Sequence, residues 1–159
     1  MEDKINLDEL KKQYAFFKEK YELPEFSELN EIFDIEEIDI ETDFLLRKVR
    51  RLVSERIVGY LRFFEIILNP SNAPMFAFKM IKKLEEKDKQ NLGEIYEKLG
   101  NLEFELVKLD LNYDENIEAE FIKKVYNIFI NLRKDVLVIV EKMLNGGGEE
   151  KKERGSYLG

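Results

Sequence analysis

The side chains that most often carry out catalysis are absent from this sequence. Its 159 residues include no His and no Cys, and the aliphatic hydroxyls amount to four Ser and one Thr. A Ser-His-Asp triad, a cysteine nucleophile, a thiolate metal site and a His-ligated zinc or di-iron site are therefore excluded, as is any disulfide. The only glycine run lies at 146–148, within a tail, so no phosphate-cradling loop of Walker or Rossmann form exists. Carboxylates and arginines are the groups left for chemistry.

Carboxylates can hold magnesium without histidine. Glu85-x-x-Asp88 and Glu94-x-x-Glu97 place acids at neighbouring positions of a helix. All-helical nucleoside-triphosphate pyrophosphohydrolases use acid pairs of this general kind, so a magnesium-dependent phosphohydrolase is one expectation. Against it, Glu94 and Glu97 flank an apolar seam, where charged residues normally face water. With 25 Glu in the chain the same spacing recurs by chance, as at Glu22/Glu25, Glu28/Glu31 and Glu115/Glu118. A solvated face is the reading favoured, with no metal or other cofactor implied.

Arg47, Lys48, Arg50 and Arg51 form a basic patch, and in helical projection Arg47, Arg50 and Arg51 share a face opposite Leu45, Val49, Leu52 and Val53. That face could contact phosphate, making a small nucleic-acid-associated subunit a second expectation. No aromatic residue interleaves it as a stacking platform. The neighbouring stretch DIEEIDIETD at 34–43 carries six acids and could neutralise it instead. Arg56 projects onto the apolar side of its helix, and Arg62 and Glu65 stand three apart inside an apolar run. A buried charge needs a partner, so these three are read as buried ion-pair candidates that fix helix register.

The elements that position these residues follow from periodicity. A first helix is expected from Asn6 to Tyr21, with Asn6 and Glu9 at capping-box spacing and Pro24 as the stop. A short helix over Ser27–Phe33 follows, then an extended link, with a lone strand at 34–40 as the alternative. A long helix from Thr42 to Leu68 ends at Asn69-Pro70, and its second half, IVGYLRFFEIIL, is apolar nearly all round, which predicts a central helix buried on several sides. Asn72 is the expected N-cap of a fourth helix turning Phe76, Met80, Ile81 and Leu84 inward. Two heptad seams close the chain: Leu92, Ile95, Leu99, Leu102, Leu106 and Leu109, then Ile122, Val125, Phe129, Leu132, Val136, Ile139 and Met143. The turn-rich DLNYDEN between them predicts antiparallel neighbours.

The fold class expected is all-α: a bundle of five to six helices with a long central helix and a C-terminal antiparallel, coiled-coil-like hairpin. One domain should span 1–145, with a Gly-rich charged tail over 146–159. Charged residues make up 38% and the net charge is -8, which argues against broad binding to nucleic acid or to an anionic membrane. The longest nearly apolar run, Ile57 to Leu68, is too short for a membrane span, and the charged N-terminus lacks a signal-peptide core, so a cytoplasmic location is expected. The Glu and Lys enrichment has a thermophile-like character.

The last helix has more apolar surface than one seam partner can cover. Val136 to Val140 is apolar on every side, and Ile128, Phe129 and Ile130 repeat the pattern. Ile130, Leu137 and Val138 are the interface candidates. A non-catalytic helical interaction or scaffold protein, self-associating as a homodimer, is the function expected first.

Overall fold

The computed structural model describes residues 2–39 and 44–145. The chain is all-α, with six helices and no strand among the described residues. They are α1 (Glu2–Tyr21), α2 (Phe26–Phe33), α3 (Leu45–Leu68), α4 (Met75–Ile81), α5 (Glu86–Leu111) and α6 (Glu115–Asn145). Two compact units are distinguished: Met1–Tyr60 with Gly100–Phe129, and Leu61–Leu99 with Ile130–Gly159. Helices α3, α5 and α6 each contribute residues to both. The expected tail, 146–159, and the acids Glu41 and Asp43 lie outside the described residues.

In the first unit, α1 buries Leu10 and Tyr14 at one face. The Tyr14 hydroxyl donates to the Pro24 carbonyl at 2.6 Å, which ties the helix to the segment that stops it. Glu22 adopts a left-handed φ of 55°, and the Leu23 N–H returns to the Lys18 carbonyl, closing the helix end without glycine. The helix begins at Glu2, so Asn6 and Glu9 lie inside it rather than at its cap. A capping interaction does occur at α2, where the Glu25 N–H donates to Glu28 at 3.0 Å. The lone strand weighed for 34–40 is replaced by a 3-10 turn over Ile35–Glu37. That turn buries Ile35, and Ile38 follows it into the core. A single strand would have left its backbone groups unpaired, whereas the turn satisfies them locally.

Along α3 the buried positions in this unit are Leu45, Leu46, Val49, Arg50, Val53 and Ile57. Asp114 caps α6, accepting from the Ile117 N–H at 3.0 Å. An ion pair between Glu105 and Lys124 sets α5 antiparallel to α6 in this unit. Phe33 packs edge-on against Phe129 at 5.3 Å between ring centroids.

In the second unit Leu61, Phe64 and Ile67 of α3 are buried with Ile81, Leu84, Leu92, Ile95, Leu99, Leu132, Ile139 and Met143. The second half of α3 is therefore covered on one stripe only, not on several sides: Arg62, Phe63, Glu65 and Ile66 are exposed. A 3-10 turn over Pro70–Asn72 takes up the residues expected to cap the fourth helix, and α4 starts from Pro74 instead. That shift rotates Phe76 out to solvent, leaves Met80 half-buried, and puts Ala77 and Ile81 inward. Every expected seam position on α5 and α6 is buried except Val136, which is half-buried. Lys142 pairs with Asp88 at 2.8 Å, and this again runs the two helices antiparallel.

Candidate functional site

The basic patch on α3 is divided by the fold. Arg50 belongs to the buried stripe, four residues after Leu46 and three before Val53, and is only 1% exposed. Its guanidinium donates through Nε to Glu118 Oε2 at 2.9 Å, through Nη2 to Glu118 Oε1 at 3.2 Å, and through Nη1 to Asp110 Oδ1 at 2.6 Å. The two bonds to Glu118 form a bidentate fork, the geometry at which arginine excels. Burial alone would pull the Arg50 pKa down; its hydrogen bonds to Glu118 and Asp110 overcome it and hold the group above its ordinary value. Glu118 is fully buried in the first turn of α6, where the helix N-terminus also favours a negative charge.

The other two arginines go elsewhere. Arg47 is half-buried, with its guanidinium 5.9 Å from the centre of the Tyr113 ring and its Nε enclosed without a hydrogen-bond partner. Tyr113 stacks edge-on with Phe44, and burial first, then the charges of Glu115 and Glu118, push its hydroxyl pKa up. Arg51 is exposed. The face once shared by three cations thus presents one fully exposed arginine, because the charge of Arg50 is committed inside the unit. Asp110 and Glu118 complete that arrangement, whereas Glu41 and Asp43 of the acidic stretch lie outside the described residues.

Around the same turn, Glu115 accepts from the Tyr21 hydroxyl and from Lys20 Nζ, the latter at 2.9 Å. These two bonds, Tyr21 first, hold its carboxyl below the ordinary range. The turn from Asp110 to Glu118 therefore anchors both α1 and α3. Beside it a cleft of about 380 Å³ has Leu109, Ile117 and Phe121 as its apolar lining and Glu105, Lys108 and Lys124 among its polar residues.

The remaining charged candidates separate as well. Arg56 reaches Asp34 at 2.5 Å near the surface, so it has a partner but is not buried. Arg62 and Glu65, expected as a buried pair, are both exposed, since the one-sided stripe of α3 leaves them facing out. Of the magnesium candidates, Glu85, Glu94 and Glu97 are exposed while Asp88 is buried. Asp88 accepts from the Glu85 N–H at 3.0 Å and from Lys142, a helix-capping and cross-helix role. Burial would raise its pKa, but the bonds from Lys142 and the Glu85 backbone lower it below its ordinary value. Among the described residues no group of three or more acids is placed to hold a metal ion.

Among the described residues, besides exposed Met75 and Phe76 of α4 and Phe63 and Ile66 of α3, α6 and α5 each carry a regularly spaced uncovered apolar face. On α6 of the second unit, Ile130, Leu137 and Leu144 recur every seven residues and are 42%, 57% and 59% exposed. Val138 is also half exposed but projects about 100° away from Leu137 around the helix. On α5 of the first unit, Phe104, Val107 and Leu111 are 79%, 55% and 83% exposed. Sequence periodicity singled out Ile130, Leu137 and Val138, whereas on α5 the stronger heptad of the buried seam masks the second apolar face.

Among the described residues no helix is long and apolar enough to cross a membrane. Comparison of the chain with protein-family models, curated proteins and solved structures finds no match.

Proposed function

We propose that this chain is a non-catalytic interaction protein that self-associates through residues 130–144 of α6. The observation carrying this reading is the exposed heptad stripe of Ile130, Leu137 and Leu144. Three large aliphatic side chains in line, on the side of the helix away from its own core, are costly to leave in water and match the seam of a paired helix.

Charge selects the direction of pairing. Lys134 and Glu141 are exposed on the same flank of the stripe. In an antiparallel pair, two-fold about Leu137, like flanks face each other, so Lys134 of each copy meets Glu141 of the other, and Ile130 packs near Leu144 of the second copy. A parallel pair gives neither contact. The absence of His and Cys and the engagement of Arg50 and Asp88 in structural bonds favour this reading over catalysis, and among the described residues no group of three or more acids is placed to hold a metal ion.

Light scattering and sedimentation test the reading. The wild-type chain should exceed the monomer mass at low micromolar concentration, and Leu137→Glu, which sets two like charges at the two-fold axis, should weaken association at least about tenfold. Val138→Ser, off the stripe, should leave it unchanged. A wild-type monomer at that concentration, or equal association of Leu137→Glu, sinks the proposal.

A further inference from the structure

The exposed face of α5 has its own order. Gly100, Phe104, Val107 and Leu111 follow one another at intervals of four, three and four, a heptad seam on the side of the helix away from the buried Leu99, Leu102, Leu106 and Leu109. Three large apolar side chains more than half exposed over about 10 Å of helix make a surface on the order of a few hundred Å². At Gly100 an added Cβ would meet nothing within 4 Å, so the seam opens where another backbone can approach.

We infer that this face docks the same face of a second copy in parallel, as a self-association surface separate from the one on α6. The choice of occupant rests on charge. Glu103 and Lys108, both exposed, lie on opposite flanks of the seam and five residues apart. That is the relation in which two parallel helices bring the residue before one core position against the residue after the next on the partner, so Glu103 of each copy meets Lys108 of the other, twice by symmetry. Antiparallel pairing would instead set Glu103 against Asp110, an acid already engaged by Arg50, so it gains no ion pair. The seam is self-complementary in one direction only.

Two distinct isologous faces have a consequence that one does not: assemblies grow past the dimer. The wild-type chain should pass from dimers to larger even-numbered species as concentration rises. Phe104→Glu and Leu137→Glu should each stop at the dimer, and the double variant should be a monomer. If Leu137→Glu is a monomer at every concentration, the α5 proposal is wrong while the α6 reading stands; if Phe104→Glu is, the reverse holds. Helical circular dichroism must stay at the wild-type level in each, as expected for exposed positions. On the Leu137→Glu background, Lys108→Glu should weaken the remaining dimer about tenfold, and adding Glu103→Lys should restore it.

Direction is tested separately. Because the chain has no Cys, Gly100→Cys creates a unique thiol. In the parallel pair it lies opposite its own copy and should oxidise to a covalent dimer, whereas Val138→Cys should not. Failure of Gly100→Cys to cross-link while the Phe104-dependent dimer persists would overturn the parallel arrangement.

Discussion

Arg50 of α3 and Glu118 of α6 stand 68 residues apart in sequence and meet in a two-bond fork, at 2.9 and 3.2 Å, with both side chains closed to solvent. Removing Arg50 strands the buried Glu118 carboxylate, and removing Glu118 leaves the buried guanidinium with its single bond to Asp110. Glu118→Gln should therefore destabilise the fold by about 3 kcal/mol or more in denaturant unfolding, and Glu118→Ala by at least as much. Arg50→Met combined with Glu118→Leu should lose much less than the sum of the single changes, because no unpaired charge stays inside. Additive losses would show that the pair is not coupled.

The fork also distinguishes arginine from lysine. Arg50→Lys retains the charge but cannot reproduce donation through Nε, Nη1 and Nη2 to two carboxylates, so a loss of about 2 kcal/mol is expected. Arg51→Lys, at an exposed position on the next residue, should change stability by less than about 0.5 kcal/mol. Equal effects at the two positions would contradict the burial of Arg50.

Acid sensitivity should be traceable to Asp88. Its carboxyl is lowered below the ordinary value of 3.8, so its contribution is present in full at neutral pH. It is lost as pH falls below that value and through the folded pKa, where the protonated group no longer attracts Lys142. Asp88→Asn should cost about 1–2 kcal/mol at pH 7, and the gap to wild type should close on acidification below that value. A gap that stayed constant down to strongly acidic pH would show that the charge of Asp88 is not what matters.

Gly59 and Glu22 occupy backbone positions that suit other residues, in opposite senses. Gly59 lies within α3, where its added Cβ would touch nothing within 4 Å, and Gly59→Ala should stabilise by about 0.5–1 kcal/mol. Glu22 holds a left-handed conformation after α1, where Glu22→Gly should relieve about 1 kcal/mol. Thermal or urea unfolding of the two variants reads both effects. A loss of stability at Glu22→Gly would mean that its side chain contributes more than the backbone strain removes.

Much of the fold was legible because periodicity and stop signals are local. The heptads of α5 and α6, the Pro24 and Asn69-Pro70 breaks, and the turn at 110–116 placed the main helices before any contact was known. Apolar residues at three- and four-residue spacing leave few conformations that bury them together. Where the reading failed, a short signal was overridden: the Asn72 cap yielded to a 3-10 turn, and the apolar run Ile57 to Leu68 turned out one-sided. Composition says how apolar a helix is, not how many neighbours it has.

The ion pairs show the same division more sharply. The sequence by itself determined that no His or Cys chemistry is available here. Helical projection set Arg50 opposite Val53, yet its spacing of four from Leu46 and three to Val53 places it on their stripe with Ile57, and its burial follows that spacing. Only the tertiary structure decided that Asp110 and Glu118 would be its partners, and that Ile130, Leu137 and Leu144 on one helix and Phe104, Val107 and Leu111 on another would stay uncovered. The reason is physical. Helix formation depends on neighbours three or four residues away, whereas pairing of a charge or covering of a face depends on which distant segment arrives there, and that is set by packing the whole core at once.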